Sequence, residues 1–406
     1  MGFFDFLKKK KTDTVEVKEE PVENENVSYE IKGNDQIIYL IGDVNSNNAS
    51  AVEQKIDSIL ADGKKIIFDC ANLNYISSAG LRILLRLRKT HDELRVINVK
   101  PDVYEVFEMT GFTKIMTVEK AYKVLSVKGC EVIGRGANGV VYRYDPETVI
   151  KVYKNAGDLA DIIHEREVAR EALILGIPTA LSYDVVKVDD SYASVFELIN
   201  AKSLTNLIQE DPNNISAAVD LSVNLLHQIH DIEDKEDKLP HIKDKALKWD
   251  EYLKQELDEA ELNKLMGLIK DIPDSLHIIH GDYHTKNIML QDGEAIMIDM
   301  DTLSVGDSIF EFSQLYLSYR AFGELDHKCI EDFLELSWDQ AQYLLEESIK
   351  RYFKLDDISS YLDKCALLAY AKLLRRHIKR GQGSQEEREF LKKRIKELLP
   401  TVDKLY

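Results

Sequence analysis

The feature that most restricts how this chain folds is the run His280-Gly281-Asp282-Tyr283-His284-Thr285-Lys286-Asn287, preceded by Ile278 and Ile279 and followed by Ile288, Met289 and Leu290. Apolar segments on both sides confine the run to one short, rigid loop. Asp282 and Asn287 keep a D-x4-N spacing: a carboxylate that orients an acceptor hydroxyl and takes its proton, and an amide oxygen that holds a metal on the phosphate side. Beyond the loop, Ile296-Met297-Ile298-Asp299-Met300-Asp301 is an apolar strand ending in two carboxylates. That ending suits a hard cation whose other ligands are water and phosphate oxygens, with Asp299 as principal ligand. Taken alone, a surface hairpin with acidic turns explains the stretch equally well.

Upstream, Gly134-Arg135-Gly136-Ala137-Asn138-Gly139-Val140-Val141 fits GxGxxGxV, in which Gly134, Gly136 and Gly139 let backbone N–H groups approach phosphates. A β-branched, aromatic run follows the last glycine, so a strand-to-strand turn fits better than the strand-to-helix turn of a dinucleotide fold. Lys151 lies in the apolar strand Val149-Ile150-Lys151-Val152, suited to holding α- and β-phosphates. The helix expected over 159–175 offers Glu165, Glu167 and Glu171 as partners for it. Glu167 and Glu171 are one turn apart, and Glu167 is chosen, with Glu171 in reserve.

At 406 residues the chain has room for two domains, and 44% hydrophobic with 31% charged residues is a globular composition. The formal net charge of −19 disfavours nucleic-acid binding and is compatible with a cationic small substrate. Cys70, Cys130, Cys329 and Cys365 are scattered without metal-ligand spacing, which suggests a reducing cytoplasm and no zinc site. No stretch approaches the roughly 20 apolar residues of a membrane span, and no secretory signal is recognised. At the start, Phe3, Phe4, Phe6 and Leu7 adjoin Lys8 to Lys11, so residues 1–11 allow at most weak contact with an anionic membrane.

Residues 1–26 are expected to be a flexible tail: five glutamates, Pro21 and no aromatic residue lie between Thr12 and Asn26. From Val27 strands alternate with amphipathic helices, an α/β domain over 27–126. Strands at 130–135, 139–144, 149–153, 181–188 and 193–198 enclose one long helix, a β-rich lobe over 127–200. Residues 201–406 are mostly helical.

The ordered set of glycine loop, lysine, glutamate, D-x4-N and strand-end aspartate resembles the aminoglycoside phosphotransferase and choline kinase branch of the protein-kinase-like superfamily, over roughly residues 129–380. The resemblance implies an α+β two-lobed fold using ATP and Mg²⁺. It implies Asp282 as catalytic base, Asn287 and Asp299 as metal ligands, Lys151 with Glu167 as the nucleotide-positioning pair, and Glu197 and Leu198 near the adenine. His280-Gly281-Asp282 replaces the HRD of protein kinases, and no APE motif follows, which favours a small-molecule hydroxyl acceptor. The chain has Gly306-Asp307-Ser308-Ile309-Phe310-Glu311 where family members often continue GDPxxD. The acidic stretch 231–261, with Trp249, Asp250, Glu251, Glu256, Asp258 and Glu259, is either an amine-receiving patch or a solvated helix face.

Residues 27–126 resemble the STAS domain of anti-sigma factor antagonists, at Asn74-Tyr75-Ile76-Ser77-Ser78-Ala79-Gly80-Leu81-Arg82 and at Glu108-Met109-Thr110-Gly111-Phe112. The resemblance implies a protein partner of anti-sigma type and places the phosphorylatable residue at Ser78. A cap at Ser77 or Ser78 explains the serines as well. Three functions stay open at this point: a small-molecule kinase with a STAS regulatory module, a signalling switch phosphorylating Ser78 or a partner protein, and a nucleotide-sensing scaffold.

Overall fold

The computed structural model describes residues 25–136, 139–154 and 159–406. The apolar-basic start at residues 1–11, most of the expected tail, and Ala137 and Asn138 of the glycine loop lie outside them. The chain divides between Val124 and Leu125 into two compact units.

In the first unit, strands β1 (Val27–Lys32), β2 (Asp35–Val44), β3 (Lys65–Ile76), β4 (Arg95–Val99) and β5 (Thr117–Lys120) lie side by side in chain order. The first pair is an antiparallel hairpin and the rest are parallel. Helices α1 (Ala49–Ile59), α2 (Ser78–Arg88) and α3 (Pro101–Met109) make the crossovers. Ile38 and Leu40, like Ile66, Phe68 and Cys70, alternate into the core, where they meet Val52, Ile56, Leu84, Leu87 and Phe107 of the helices. Period-2 burial of this kind belongs to a sheet covered on one face. The α/β reading of this region holds, and α3 stops where Gly111 takes φ 76°.

In the second unit, β6 (Val124–Leu125), β7 (Glu131–Arg135), β8 (Gly139–Arg143), β9 (Thr148–Tyr153), β10 (Ser182–Val188) and β11 (Ser191–Glu197) form a sheet ordered β6-β10-β11-β9-β8-β7. Helix α4 (Leu159–Ile174) packs on it through Ile162, Glu165, Val168, Ala169 and Ala172. The helical lobe follows, with α5 (Leu204–Glu210), α6 (Ile215–His230), α7 (Ile242–Leu247), α8 (Asp250–Leu253), α9 (Glu259–Lys270), α10 (Ser308–Tyr319), α11 (Lys328–Leu334), α12 (Trp338–Phe353), α13 (Ser359–Arg380) and α14 (Gln385–Leu398). Its short strands are β12 (Lys202–Ser203), β13 (Ile278–Ile279), β14 (Ile288–Gln291), β15 (Glu294–Met297) and β16 (Ser304–Val305). This is an α+β, two-lobed, kinase-like fold. Its core includes fully buried Tyr283, Phe312 and Tyr370, each contributing about 1.5–3 kcal/mol of burial. No described helix is long and apolar enough to cross a membrane.

Candidate active site

The His280–Asn287 loop bridges β13, which pairs with β16, and β14, which forms a hairpin with β15. Its alternate residues hold it down. The Tyr283 hydroxyl donates to the Ser222 carbonyl at 2.7 Å. Thr285 shares a 2.8 Å hydroxyl contact with Thr205, and its N–H donates to the Tyr319 hydroxyl at 2.9 Å. Asp282, just before Tyr283, stays half-buried, so its carboxylate keeps access to solvent.

Gly281 has two reasons to be glycine. Its φ is 80°, and a Cβ there would lie 2.9 Å from the Thr302 carbonyl oxygen. The N–H groups of His280 and Gly281 both donate to the Glu311 carboxylate, at 2.5 and 3.0 Å. Glu311 is fully buried on α10. Burial alone would raise its carboxyl, but His230 beside it and the donated N–H groups hold it below its usual range. In the GDPxxD stretch, therefore, glutamate in place of aspartate still carries the carboxylate that pins the loop.

Asp282 Oδ1 accepts from Gln314 Nε2 at 3.0 Å, and Gln314 Oε1 accepts from Lys372 Nζ at 2.6 Å, so the amide is fixed from both ends. His284 Nε2 lies 3.8 Å from Asp282 Oδ2, and burial pushes this imidazole below its ordinary value, favouring the neutral form. Asn287 Nδ2 donates to the Asp282 carbonyl at 3.1 Å, which leaves its Oδ1 available to a cation. The Asn287 carbonyl in turn accepts from Ile298 N at 2.9 Å, tying the loop to the strand end before Asp299.

Asp299 adopts φ 65°, ψ 64°, a left-handed conformation uncommon for a residue with a side chain, and its carboxylate lies 2.9 Å from Lys151 Nζ. Lys151 Nζ also lies 2.8 Å from Glu165 Oε1, and Glu165 Oε2 accepts from the Tyr153 hydroxyl at 2.5 Å. Burial works against the ammonium, but Asp299 and Glu165 together hold Lys151 well above its usual range. Lys151 keeps Asp299 ionised against the pull of burial. Burial and then the neighbouring Asp299 push Asp301 up.

The glutamate expected to pair with Lys151 was Glu167, and here the structure differs. The phase of α4 buries Ile162, Glu165, Val168, Ala169 and Ala172, whereas Glu167 is exposed. The spacing of Glu167 and Glu171 identified a helix face, but not the one turned to the sheet. Glu171, the reserve, reaches Lys238 instead at 3.3 Å.

Of the glycine triplet, Gly139 alone is demanded by close approach, since a Cβ there would lie 2.4 Å from the Val152 carbonyl oxygen. Gly134 and Gly136 meet nothing closer than 3.6 Å. Glu197 and Leu198 stand where β11 leaves the first lobe. Glu197 Oε2 accepts from Leu181 N at 3.1 Å, and Leu198 N donates to the Glu147 carbonyl at 2.7 Å. In the first unit, Ser77 is the N-cap of α2 and accepts from Gly80 N at 3.4 Å, while Ser78 is exposed in the first turn.

Among the described residues no group of three or more His, Cys, Asp or Glu side chains is placed to hold a metal. One carboxylate and one amide oxygen, Asp299 and Asn287, suit a magnesium ion that keeps waters and phosphate oxygens as its remaining ligands. Glu311, Gln314 and Lys372 were not singled out from sequence as site residues. Gln314 lies 32 residues from Asp282 and Lys372 a further 58 along the chain, so only packing joins them.

A loop that pairs a carboxylate with an amide, facing a lysine-glutamate pair on a β-rich lobe, defines a kinase-like phosphotransferase. The sequence model of the phosphotransferase enzyme family matches residues 129–344, more than half of the chain, and the chain belongs to that family. The STAS domain model matches residues 26–124. In that region the chain is 41% identical over 87 residues to a putative anti-sigma factor antagonist, BtrV, of Bordetella bronchiseptica, covering 20% of this chain and 75% of the relative. Among solved structures, a thermostable mutant of aminoglycoside phosphotransferase APH(4)-Ia is 15% identical, with a TM-score of 0.48 over 67% of this chain and 94% of that one. The gentamicin complex of APH(2")-IIa is 15% identical, with a TM-score of 0.45 over 74% and 97%. At these scores neither likeness bears on substrate.

Proposed function

We propose that the second unit transfers the γ-phosphate of ATP, with Mg²⁺, to a hydroxyl of a small molecule in the cytoplasm, and that the STAS domain binds a regulatory protein of anti-sigma type. The observation that carries this reading is the convergence of Asp282, Asn287, Asp299 and Lys151, tied together by Asn287 Nδ2 donating to the Asp282 carbonyl, Ile298 N donating to the Asn287 carbonyl, and the Lys151–Asp299 ion pair. In it, Asp282 takes the acceptor's proton. Lys151, held by Glu165, positions the α- and β-phosphates, and Gly134, Gly136 and Gly139 cover them. Glu197 and Leu198 border the adenine, and Asn287 and Asp299 hold the magnesium, which neutralises charge on the phosphates. His280-Gly281-Asp282 supports a small acceptor rather than a protein.

Comparing ATP binding with ATP consumption in wild type and Asp282→Asn tests the reading. Loss of consumption with binding retained is expected. Tight binding with equal, negligible consumption in both would favour a nucleotide-sensing scaffold. A second reading, in which Ser78 is the acceptor, is favoured by its exposure beside a neighbour that already serves as cap. Phosphosite mapping after incubation with Mg-ATP decides it, because an unmodified Ser78 removes the intramolecular version.

A further inference from the structure

Helix α13, which reaches the loop of Asp282 through Lys372 and Gln314, carries the opposite charge from the one expected of an amine-accepting site. Lys372, Arg376 and Arg380 recur every fourth residue along α13, so they form a row on one face of the helix. The row starts at the catalytic loop, where Lys372 reaches Asp282 through Gln314. It continues at Arg376, whose guanidinium lies over the Phe322 ring at 5.5 Å. Phe322 meets Phe333 edge-on at 6.0 Å, and Phe333 meets the His284 ring at 5.1 Å, so the aromatic path returns to the loop of Asp282. The row is therefore tied to the loop of Asp282 at two points, by the polar contacts of Lys372 and by the aromatic path from Arg376.

None of the three cations is within ion-pair distance of a carboxylate among the described residues, although Lys372 and Arg376 are half-buried. Burial and the repulsion of Arg380 lower Arg376, with only Asp282 opposing. Leaving half-buried cations without counter-ions is costly, and the cost is recovered where a ligand supplies the anion. The acidic stretch 231–261 does not compensate. Glu256 is occupied by Lys392 at 3.1 Å and Arg388 at 3.8 Å, and Asp258 caps α9.

We propose that Lys372, Arg376 and Arg380, with Phe322 and Phe333 as an apolar wall, form the acceptor subsite, and that it takes a hydroxyl compound bearing a carboxylate or phosphate group. This rests on the phosphotransferase reading and specifies its substrate class. The acceptor's hydroxyl oxygen bonds to the γ-phosphorus, the bond from that phosphorus to the β-phosphate oxygen breaks, and the hydroxyl proton passes to Asp282. The products are ADP and a phosphate monoester. An anionic acceptor entering beside Asp282 and the ATP phosphates needs fixed cations, and the guanidinium fork matches carboxylate and phosphate alike.

The test uses four hydroxyl compounds of similar size: glucose, glucosamine, gluconate and glucose 6-phosphate. Their binding to the full chain is measured by calorimetry with a non-hydrolysable ATP analogue and Mg²⁺. Gluconate or glucose 6-phosphate is expected to bind at least about tenfold more tightly than glucose, and which of them does so separates carboxylate from phosphate. Arg376→Met and Arg380→Ala should each remove about tenfold of that preference, and Arg380 is exposed, so its variant does not put folding at risk. Glucosamine binding tightest, no preference for the anions, or variants that bind the anions as wild type does would overturn the proposal. ATP consumption by wild type and Asp282→Asn is followed in parallel. Asp282-dependent consumption with an amine preference removes the proposal alone, whereas consumption independent of Asp282 removes the phosphotransferase reading and the proposal with it.

Discussion

Lys151 Nζ lies 2.8 Å from Glu165 Oε1, a pairing made on the buried face of α4 and not on the exposed face that carries Glu167. Glu165 is itself fixed by the Tyr153 hydroxyl, which also contacts Ser194 Oγ at 3.0 Å. The position of the lysine thus depends on a polar chain spanning two strands and a helix. Glu165→Gln should lower kcat/KM for ATP by about 10²-fold, the cost of a misplaced phosphate contact. Glu167→Ala should leave it unchanged. Steady-state ATP consumption by the two variants separates them, and the opposite ranking would assign the pair to Glu167.

Removing Glu311 strands the buried N–H groups of His280 and Gly281. Glu311→Ala should destabilise the second unit by about 1–3 kcal/mol for each unpaired group, read from denaturant midpoints. The pH dependence has a definite sign. Glu311 titrates below its ordinary 4.5 in the folded chain, so its contribution is complete above that value and is lost as pH falls through the depressed folded value. The stability difference between wild type and Glu311→Gln should therefore shrink on acidification below pH 4.5.

Lys372 gives a dependence of the same sign in a higher pH window, from a destabilising charge rather than a stabilising one. Burial pushes its ammonium down to about 8 from 10.5, so between those values the unfolded chain binds the proton and the folded chain does not. Stability contributed by this group rises with pH across that window. Lys372→Met should gain stability over wild type at pH 7 and lose much of that advantage by pH 10, in urea titrations at each pH.

The glycine loop offers a contrast between two similar substitutions. Gly139→Ala places a methyl 2.4 Å from the Val152 carbonyl oxygen and should lower the thermal midpoint, because backbone on the partner strand has to move. Gly136→Ala meets no atom within 4 Å and should leave the midpoint unchanged. Equal midpoints for the two would contradict the close approach of β8 to β9 at Gly139 and Val152.

Ser77 and Ser78 should separate in the same way. Ser77→Ala removes the N-cap of α2 and should cost about 0.5–1 kcal/mol, at the low end because the capping contact is long. Ser78→Ala should change stability by less than about 0.5 kcal/mol, as for an exposed surface position. Thermal or denaturant unfolding of the full chain, followed through a probe in the first unit, measures both.

Much of this architecture was legible because it depends on local pattern. The helix expected over 159–175 is Leu159–Ile174, and the strand expected over 149–153 is Thr148–Tyr153. The D-x4-N loop was visible because apolar segments bracket it and its two chemical residues are close in sequence. Glu165 was among the candidates but was passed over for Glu167, for a physical reason. Three glutamates share one helix, and which of them meets Lys151 depends on how the helix is rotated against the sheet, which Ile162, Val168 and Ala172 decide by burial.

From its order of residues alone the chain is committed to an α/β unit followed by a two-lobed phosphotransferase, since hydrophobic period, glycine placement and short-range spacing are properties of neighbouring residues. Tertiary structure decided what stands around Asp282. Glu311 pins its loop, Gln314 holds its carboxylate, and α13 brings Lys372 to that amide in a chain whose net charge is −19. Net charge is a sum over the whole surface, whereas a bound substrate meets only the few side chains that packing turns toward it.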